Sequence, residues 1–269
     1  MVLFINFFKR KKMRLLFILL FLNVNILMAQ TISINVICED KQIYPYILED
    51  TKIAKNSPGI TIEILKSLEK ELNVEFKFNR VQSLRAHKIL HSNQADMLLF
   101  ASYLKNREEM GVYPKNSLNE LNNNLKAMDL SYVLYTLKDS NLNWDGNNFI
   151  NLYGKIGATQ GYSIVDFLKN NNVLVSENSS NLGDVRKLIA KRIQGFVNQE
   201  SKIDPYLKKN PKYAEVIKKI EIPIVTKPYF IVFSHKFYKK NSALADKIWA
   251  LLADHKNNPK YKSIIKKYE

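Results

Sequence analysis

Strand and helix patterns alternate through residues 31–102, and this alternation limits the fold more than any other feature of the chain. Apolar residues alternate at 31–38 and 74–78, as in half-buried strands, and recur at helical spacing at 60–72 and 84–90. The short apolar run at 96–102 is typical of a buried strand. This order of elements predicts an α/β unit built on a parallel sheet.

A second set of alternating patterns follows a polar loop at 116–124. Its predicted strands lie at 132–137, 155–158, 173–175, 193–197 and 222–233, and its predicted helices at 164–169, 182–190 and 202–220. Pro223 and Pro228 break the last strand pattern, and residues 139–148 are predicted to form a surface loop. Two terminal helices are predicted at 243–252 and 261–268.

Length and charge restrict the possible partners. The 269 residues are enough for two lobes of ~100–150 residues each. Lys and Arg outnumber Asp and Glu by 41 to 25, but the lysines are spread over predicted helix faces, without a basic stripe that carries aromatic residues. We therefore expect a lysine-rich solvated surface and no nucleic-acid partner. The one cysteine, Cys38, excludes an internal disulfide and is expected to be buried in the first strand.

The N-terminal 29 residues have the pattern of a secretory signal peptide. Basic residues precede the apolar run at 15–22, and the sequence Leu-Met-Ala at 27–29 offers a cleavage site after Ala29. The run is shorter than the ~20 residues of a membrane-spanning helix, so a cleaved signal is favoured over an anchor. Met1 and Met13 are both possible starts. The pattern predicts a periplasmic location.

Four segments occur in an order and spacing that resemble a known family. They are a glycine-led helix start at 58–65, a strand and serine turn that lead to an arginine at 93–107, a strand and Gly-Tyr-Ser helix start at 155–163, and a strand at 229–234. Together they resemble the periplasmic solute-binding proteins of polar-amino-acid ABC transporters, over nearly all of residues 31–269.

The resemblance implies an α/β fold of two lobes, each a mixed, mostly parallel sheet flanked by helices, joined by two hinge crossings. Lobe 1 would comprise residues 30–135 and 229–269, and lobe 2 residues 136–228. A small ligand would bind in the cleft between the lobes, which close on it about the hinge. We expect a monomer.

The resemblance also implies which residues bind the ligand. In the family, the arginine after the third strand binds the carboxylate of the ligand, and this role falls on Arg107, with Ser102 beside it. A guanidinium binds a carboxylate through two charge-assisted hydrogen bonds. The start of the second-lobe helix, which favours anions because of its free N–H groups, also contributes. It corresponds to Gln160, Gly161, Tyr162 and Ser163.

The loop after the first strand supplies an acid and aromatic walls in the family. These correspond to Asp40, Tyr44 and Tyr46. Arg85 is a further candidate, because stand-alone relatives often carry an arginine there, although a solvated helix arginine fits the pattern equally well.

One position departs from the family pattern. Amino-acid binders place an aspartate after the strand at 193–197, where it holds the ammonium group of the ligand. The matching residue is Gln199, which has no charge for that ion pair, and Glu200 follows it. Leu104 also replaces a hydroxyl residue in the turn before the arginine. The sequence therefore favours an anionic ligand group over the ammonium of an α-amino acid.

No metal or cofactor site is expected. His87 and His91 are spaced i, i+4 on a predicted helix, but the sequence offers no His-Glu-x-x-His pattern, so we expect solvated histidines. A nucleophile elbow, a phosphate-binding loop and a dinucleotide fingerprint are missing from the sequence.

The sequence thus predicts a binding protein that is not an enzyme. It would capture a small solute, amino-acid-like or another small carboxylate, and deliver it to an ABC permease or a membrane sensor, or read it without any transporter. The alternative is a dehydratase-like enzyme on the same fold, with Glu39, Asp40 or Glu200 as its acid or base.

The signal-peptide prediction has a direct test. Mass spectrometry of the exported protein should find a mature N-terminus near Gln30, because cleavage is expected after Ala29. Retention of the apolar run at 15–22 in the mature protein would indicate a membrane anchor instead.

Overall fold

Within residues 31–48 and 56–268, which the computed structural model describes, an eight-stranded sheet has the order β2-β1-β3-β10-β4-β9-β7-β8. The strands are β1 Ile32–Glu39, β2 Val74–Val81, β3 Met97–Ser102, β4 Met128–Leu137, β5 Asn143–Trp144, β6 Phe149–Ile150, β7 Ile156–Thr159, β8 Val175–Asn178, β9 Gly195–Gln199 and β10 Ile217–Phe233.

Helices pack against this sheet between the strands. They are α1 Ile60–Leu72, α2 Ser83–His91, α3 Ser163–Asn170, α4 Asn181–Ile189, α5 Glu200–Lys209, α6 Pro211–Ala214, α7 His235–Ala253 and α8 Lys262–Lys266. Short 3-10 turns lie at Lys105–Glu109, Asn123–Leu125 and Pro259–Tyr261.

The sheet is mixed, as predicted. β1 pairs in parallel with β3, and β7 pairs in parallel with both β8 and β9, which confirms the predicted parallel α/β sets. The central strands β3, β10, β4 and β9 pair antiparallel. The two parallel sets are thus joined through β10 and β4, the two longest strands. The sheet is continuous across the predicted lobe boundaries, which stay a prediction.

The residues at the two ends of helix α1 explain why its predicted start and end agree with the structure. Gly59 precedes the helix at φ +107°, and a Cβ atom there would lie 2.4 Å from the carbonyl oxygen of Tyr46, so a side chain has no room. Asn73 ends the helix in the left-handed conformation, which asparagine adopts more readily than most residues. Cys38 is fully buried, as expected, and burial raises the pKa of its thiol to about 12.

Two predictions for the second set gave the wrong kind of structure, and the strand predicted at 173–175 lies at Val175–Asn178 instead. Residues 217–220, predicted as helix, begin the long strand β10, and neither proline breaks that strand. The pairing of β10 with β4 shifts register between Ile220 and Val225, and Pro223 lies inside this shift, where its missing N–H is tolerated. Residues 143–144 form β5 rather than loop, because Trp144 is buried and donates from Nε1 to the carbonyl of Pro223 at 3.1 Å.

The predicted signal peptide at 1–29 lies outside the described residues. In the part of the chain that the structure does describe, no helix combines the length and the apolar character that a membrane span requires.

Asp184 is a buried carboxyl in the second parallel set. It is fully buried on α4 and accepts a hydrogen bond from Asn178, while its Oδ2 has no partner among the described residues. Gly157 on β7 makes room for it, since a Cβ atom there would lie 2.4 Å from Oδ1. Burial raises the pKa of Asp184 to about 7.

Replacing Asp184 with Asn should therefore stabilise the protein in a pH-dependent way. The pKa of Asp184 in the folded state, about 7, lies above its ordinary value of 3.8, so wild-type stability falls as the pH rises through this window. We expect the melting temperature of Asp184→Asn to exceed that of wild type by more at pH 8 than at pH 5. An equal difference at both values would show that Asp184 is not a buried carboxyl.

Candidate functional site

A small closed cavity lies at the ends of β1, β3 and β9 and the start of α3. Its volume is about 20 Å³, close to that of one water molecule. Side chains from both predicted lobes line it. Six residues that the sequence singled out are among them: Ser102, Arg107, Gly161, Tyr162, Ser163 and Gln199.

Arg107 joins the two sides of the cavity. It lies in the 3-10 turn after β3, and its Nη1 donates to both the carbonyl and the hydroxyl of Ser102 at 2.9 Å. Its Nη2 donates to the carbonyl of Gly161, on the other predicted lobe, at 2.9 Å. No carboxylate of the described residues forms an ion pair with Arg107. Neutral oxygen atoms therefore orient the guanidinium. Its positive charge is not balanced by a described carboxylate and can pair with a bound anion.

Ser163 brings a second cation to the same place. Its hydroxyl accepts a hydrogen bond from Ser102 Oγ at 2.9 Å, and Lys227 Nζ donates to both the hydroxyl and the carbonyl of Ser163 at 3.0 Å. Burial and the charge of Arg107 lower the pKa of Lys227, with Asp166 opposing. Lys227 thus contacts the first residue of α3, Arg107 contacts the serine that bonds to it, and the N-terminus of the helix also favours negative charge.

A buried ion pair closes the other end of the cavity. Lys202 Nζ lies 2.5 Å from Glu39 Oε2, and the Lys202 side chain is 1% exposed. Tyr162 donates from its hydroxyl to Glu39 Oε1 and accepts a hydrogen bond from Lys202. Glu39 ends β1 in the predicted first lobe, whereas Tyr162 and Lys202 belong to the second. The three side chains therefore join the predicted lobes at a largely buried site, in which the Glu39 side chain is 14% exposed.

Burial and charged contacts act in opposite directions on this group. Burial lowers the pKa of Lys202, while the charge and the hydrogen bond of Glu39 oppose this shift. Burial favours the neutral form of Glu39, but the charges of Lys202 and Lys41 and two side-chain hydrogen bonds outweigh it and lower the pKa of Glu39. Burial and the Glu39 charge raise the pKa of Tyr162 well above its ordinary value, so the phenol keeps its proton and donates. Glu39 is thus an ionised acceptor with both oxygen atoms engaged.

Gln199 forms the floor of the cavity with two tyrosines. Its Nε2 donates to the hydroxyl groups of Tyr229 at 2.6 Å and Tyr132 at 3.1 Å, which also bond to each other. Gln199 is 2% exposed, and its Oε1 has no partner among the described residues. A buried carbonyl of this kind is an acceptor site for a donor on a bound molecule or water.

An outer pocket continues the cavity towards solvent. It has a volume of about 380 Å³, a size typical of small-ligand sites, and shares His87, Arg107 and Gly161 with the inner cavity. The expectation that both helix histidines are solvated was wrong for His87, which is half-buried because α2 packs beside the cleft. His91 is exposed, as expected, with Nδ1 2.8 Å from the carbonyl of Glu109.

Five predicted ligand residues do not line the cavity in this closed state. Arg85 and Gln160 are exposed. Asp40 is half-buried beside Glu39, with an unpartnered Oδ1 among the described groups. Tyr44 and Tyr46 line a separate groove of about 1450 Å³ against α5. Tyr46 packs edge-on against Phe100, with ring centroids 6.2 Å apart, and so supports the cavity wall from behind.

The sequence patterns did not assign the strongest contacts. Besides Arg107, the charges around the cavity belong to Glu39, Lys202 and Lys227. Glu39 was named only as an acid or base of the alternative enzyme, and the two lysines are single polar residues within ordinary strand or helix patterns. Phe100 has φ +68° inside β3, which is uncommon for a bulky residue and places its ring at the cavity.

Comparisons with known proteins identify the fold. No protein-family model and no curated protein sequence matches the chain. Solved structures do match. The GluR0 ligand-binding core from Nostoc punctiforme, in complex with L-glutamate, is 16% identical, with a TM-score of 0.64 over 87% of this chain and 98% of its own. A histidine kinase sensor domain with similarity to periplasmic binding proteins is 14% identical, with a TM-score of 0.67 over 89% and 97%.

A periplasmic binding protein of Salmonella typhimurium with high arginine specificity is also similar. It is 18% identical, with a TM-score of 0.63 over 88% of this chain and 99% of its own. The chain has the two-lobed fold of the periplasmic binding proteins. At these identities the likeness establishes the architecture, and the ligand and the roles of the cavity residues must be argued from the side chains.

The position of His87 predicts a pH-dependent stability. Burial and the charge of Arg107 lower the pKa of His87 to about 4, with Glu39 opposing, against an ordinary value of 6.5. The unfolded chain therefore binds this proton first, and stability falls as the pH drops from about 6.5 to about 4. His87→Gln should show a smaller fall in melting temperature over this range than wild type.

His91→Gln is the matched control, because His91 lies on the same helix but is exposed. It should keep the wild-type pH profile. Parallel profiles for His87→Gln and wild type would contradict the assignment of His87 to a desolvated position beside Arg107.

Proposed function

We propose that this protein is a periplasmic solute-binding protein that captures a small carboxylate-bearing solute in the cleft around Arg107. The single observation that carries the proposal is a pair of cations at two bonded hydroxyl groups. Arg107 donates to Ser102, and Lys227 donates to Ser163 at the N-terminus of α3. Two cations without a bonded carboxylate, next to oriented hydroxyl groups, form a site for an anion.

Binding requires the lobes to separate. The inner cavity, at about 20 Å³, is too small for an organic acid, and contacts across the cleft hold it closed. Besides the contacts of Glu39 and Arg107, Lys41 donates to the carbonyl of Ser179 at 2.7 Å, and the N–H of Tyr44 donates to the carbonyl of Ser201 at 3.2 Å. Each is a hydrogen bond that water or a ligand replaces when the cleft opens about β4 and β10.

The two-lobed fold supports a role in transport or sensing. The comparison structures include substrate-binding proteins and a kinase sensor domain, and the predicted signal peptide at 1–29 fits a protein exported to the periplasm. The solute would accordingly pass to an ABC permease or be read by a membrane sensor. Permease and ATPase genes beside the gene of this protein would support import.

Binding is favoured over catalysis by the state of Glu39. Among the described residues that line the inner cavity, Glu39 is the one carboxylate, and it is ionised with both oxygen atoms engaged. A general base must reach the proton that it removes, and Glu39 already accepts from two donors.

Replacing Arg107 tests the proposed site. Truncating one partner of a buried, hydrogen-bonded charge pair costs ~2–5 kcal/mol, a loss of roughly 30-fold to several thousand-fold in affinity. We expect Arg107→Ala to weaken binding of the best carboxylate from a thermal-shift screen by such a factor. Arg107→Lys should also bind more weakly, because an ammonium lacks the planar fork of a guanidinium.

Arg192→Ala is the matched control, since Arg192 is an exposed arginine of the predicted second lobe. Calorimetry should show wild-type affinity for it, and circular dichroism should show native spectra for all variants. Wild-type affinity in Arg107→Ala would place the anion elsewhere, and Arg85→Ala would then be the variant to examine.

A further inference from the structure

A bound α-amino acid needs a carboxylate for its ammonium group. In a site closed to water, an unpaired ammonium is strongly disfavoured, because nothing replaces its hydration. The cavity offers only Glu39 for this purpose, among the described residues that line it. The charge state and the contacts of Glu39 therefore decide whether the cleft accepts such a ligand.

Lys202 already occupies the position that a ligand ammonium would take. Its Nζ lies 2.5 Å from Glu39 Oε2 and 4.6 Å from the centre of the Tyr162 ring, and it also donates to the Tyr162 hydroxyl. Carboxylate, aromatic face and phenol oxygen are the groups that surround an ammonium in a binding site. Here the chain itself supplies the ammonium, from the first turn of α5.

Gln199 is neutral and cannot form an ion pair with a ligand ammonium. Its amide nitrogen is engaged by Tyr132 and Tyr229, and its free Oε1 can accept a hydrogen bond but supplies no negative charge to balance an ammonium. A second ammonium in the cavity would lie close to Lys202 without a carboxylate of its own. A hydroxyl or keto group in the same place carries no such penalty.

The other charged side chains near the cavity also favour an anionic ligand over one with an ammonium group. Arg107 donates to Ser102 and Lys227 donates to Ser163, two hydroxyl groups that bond to each other, and neither cation forms an ion pair with a carboxylate in the described parts of the chain. Asp166 is the acidic residue that acts on Lys227, and it lies on the exposed side of α3, in the outer pocket. With Glu39 neutralised by Lys202, Arg107 and Lys227 leave an excess of positive charge at the inner cavity, which attracts anions and repels cations. In the outer pocket, Glu109 and Asp166 offset Lys88.

We propose that Lys202 determines specificity by taking the place of a ligand ammonium, so that the cleft selects carboxylates that carry no amino group, such as 2-oxo acids, 2-hydroxy acids and dicarboxylates. The inference rests on the proposed function and adds the ligand class to it. The carboxylate of the ligand would bind Arg107, a hydroxyl group would donate to Gln199 Oε1, and an oxo group would accept from Lys202 instead.

Matched pairs of compounds test the proposal in the full-length mature protein. Each pair shares a carbon skeleton and differs at the amino group: L-glutamate and 2-oxoglutarate, L-aspartate and L-malate, L-phenylalanine and phenylpyruvate. Calorimetry should show that wild type binds the member without the amino group at least tenfold more tightly in at least one pair, and prefers the amino acid in none.

Variants separate the role of Lys202 from that of the cleft as a whole. Lys202→Met leaves Glu39 free to pair with a ligand ammonium, so the preference should shift at least tenfold towards the amino acid. The double variant Glu39→Gln/Lys202→Met removes both charges, and this shift should disappear. Lys208→Met, an exposed lysine on the same helix, should keep the wild-type preference.

The outcomes distinguish this inference from the proposed function. Tenfold tighter binding of an amino acid by wild type would overturn the inference and leave the proposed function standing. Binding of none of the six compounds would overturn both. If Lys202→Met does not fold, the double variant, which leaves no unpaired buried charge, and the wild-type preference still decide the question.

Discussion

The closed state of this protein depends on the ion pair between Glu39 and Lys202. Removing two charges from water is costly, and a buried pair is maintained only when further hydrogen bonds satisfy its remaining lone pairs and protons. Tyr162 fulfils that condition, because it donates to Glu39 and accepts from Lys202. Since Glu39 belongs to one predicted lobe and Lys202 to the other, the pair can form only when the lobes meet.

The sheet explains how single residues reach this position. β1 and β3 end at the cavity with Glu39 and Ser102, and β9 ends there with Gln199. The ends of these strands converge because β4 and β10 run through the centre of the sheet and hold the two parallel sets together. Charged and polar residues at strand ends are therefore brought to one site, although they are distant in the sequence. Ligands bind at this edge in α/β sheets for the same reason.

Much of the fold could be predicted from the sequence, because alternating strand and helix patterns report directly which faces are buried. The boundaries failed where tertiary contacts override the local pattern. The pattern at 217–220 predicts a helix, yet these residues extend β10 along β4. The pattern at 139–148 predicts a polar loop, yet Trp144 is buried within it.

The candidate site was predictable only in part. Arg107, Ser102, Gly161, Tyr162, Ser163 and Gln199 follow from the order of the motifs, and all line the cavity. Lys202 and Lys227 could not be distinguished from the many surface lysines, because a lysine becomes a buried ion-pair partner only through the elements packed around it. Neither the hydrophobic period nor the charge count contains that information.

The dependence of the closed state on the Glu39–Lys202 ion pair can be tested most directly by measuring the distance between the predicted lobes in the ligand-free protein. Spin labels at Lys88→Cys and Asp166→Cys would lie on α2 and α3, both at the outer pocket, and the native Cys38 is fully buried. Pulsed electron paramagnetic resonance should give one short, narrow distance distribution for wild-type Lys202 and a longer, broader one for Lys202→Met. The same long, broad distribution in both proteins would contradict the account, because the cleft would then be open whether or not Glu39 and Lys202 can pair.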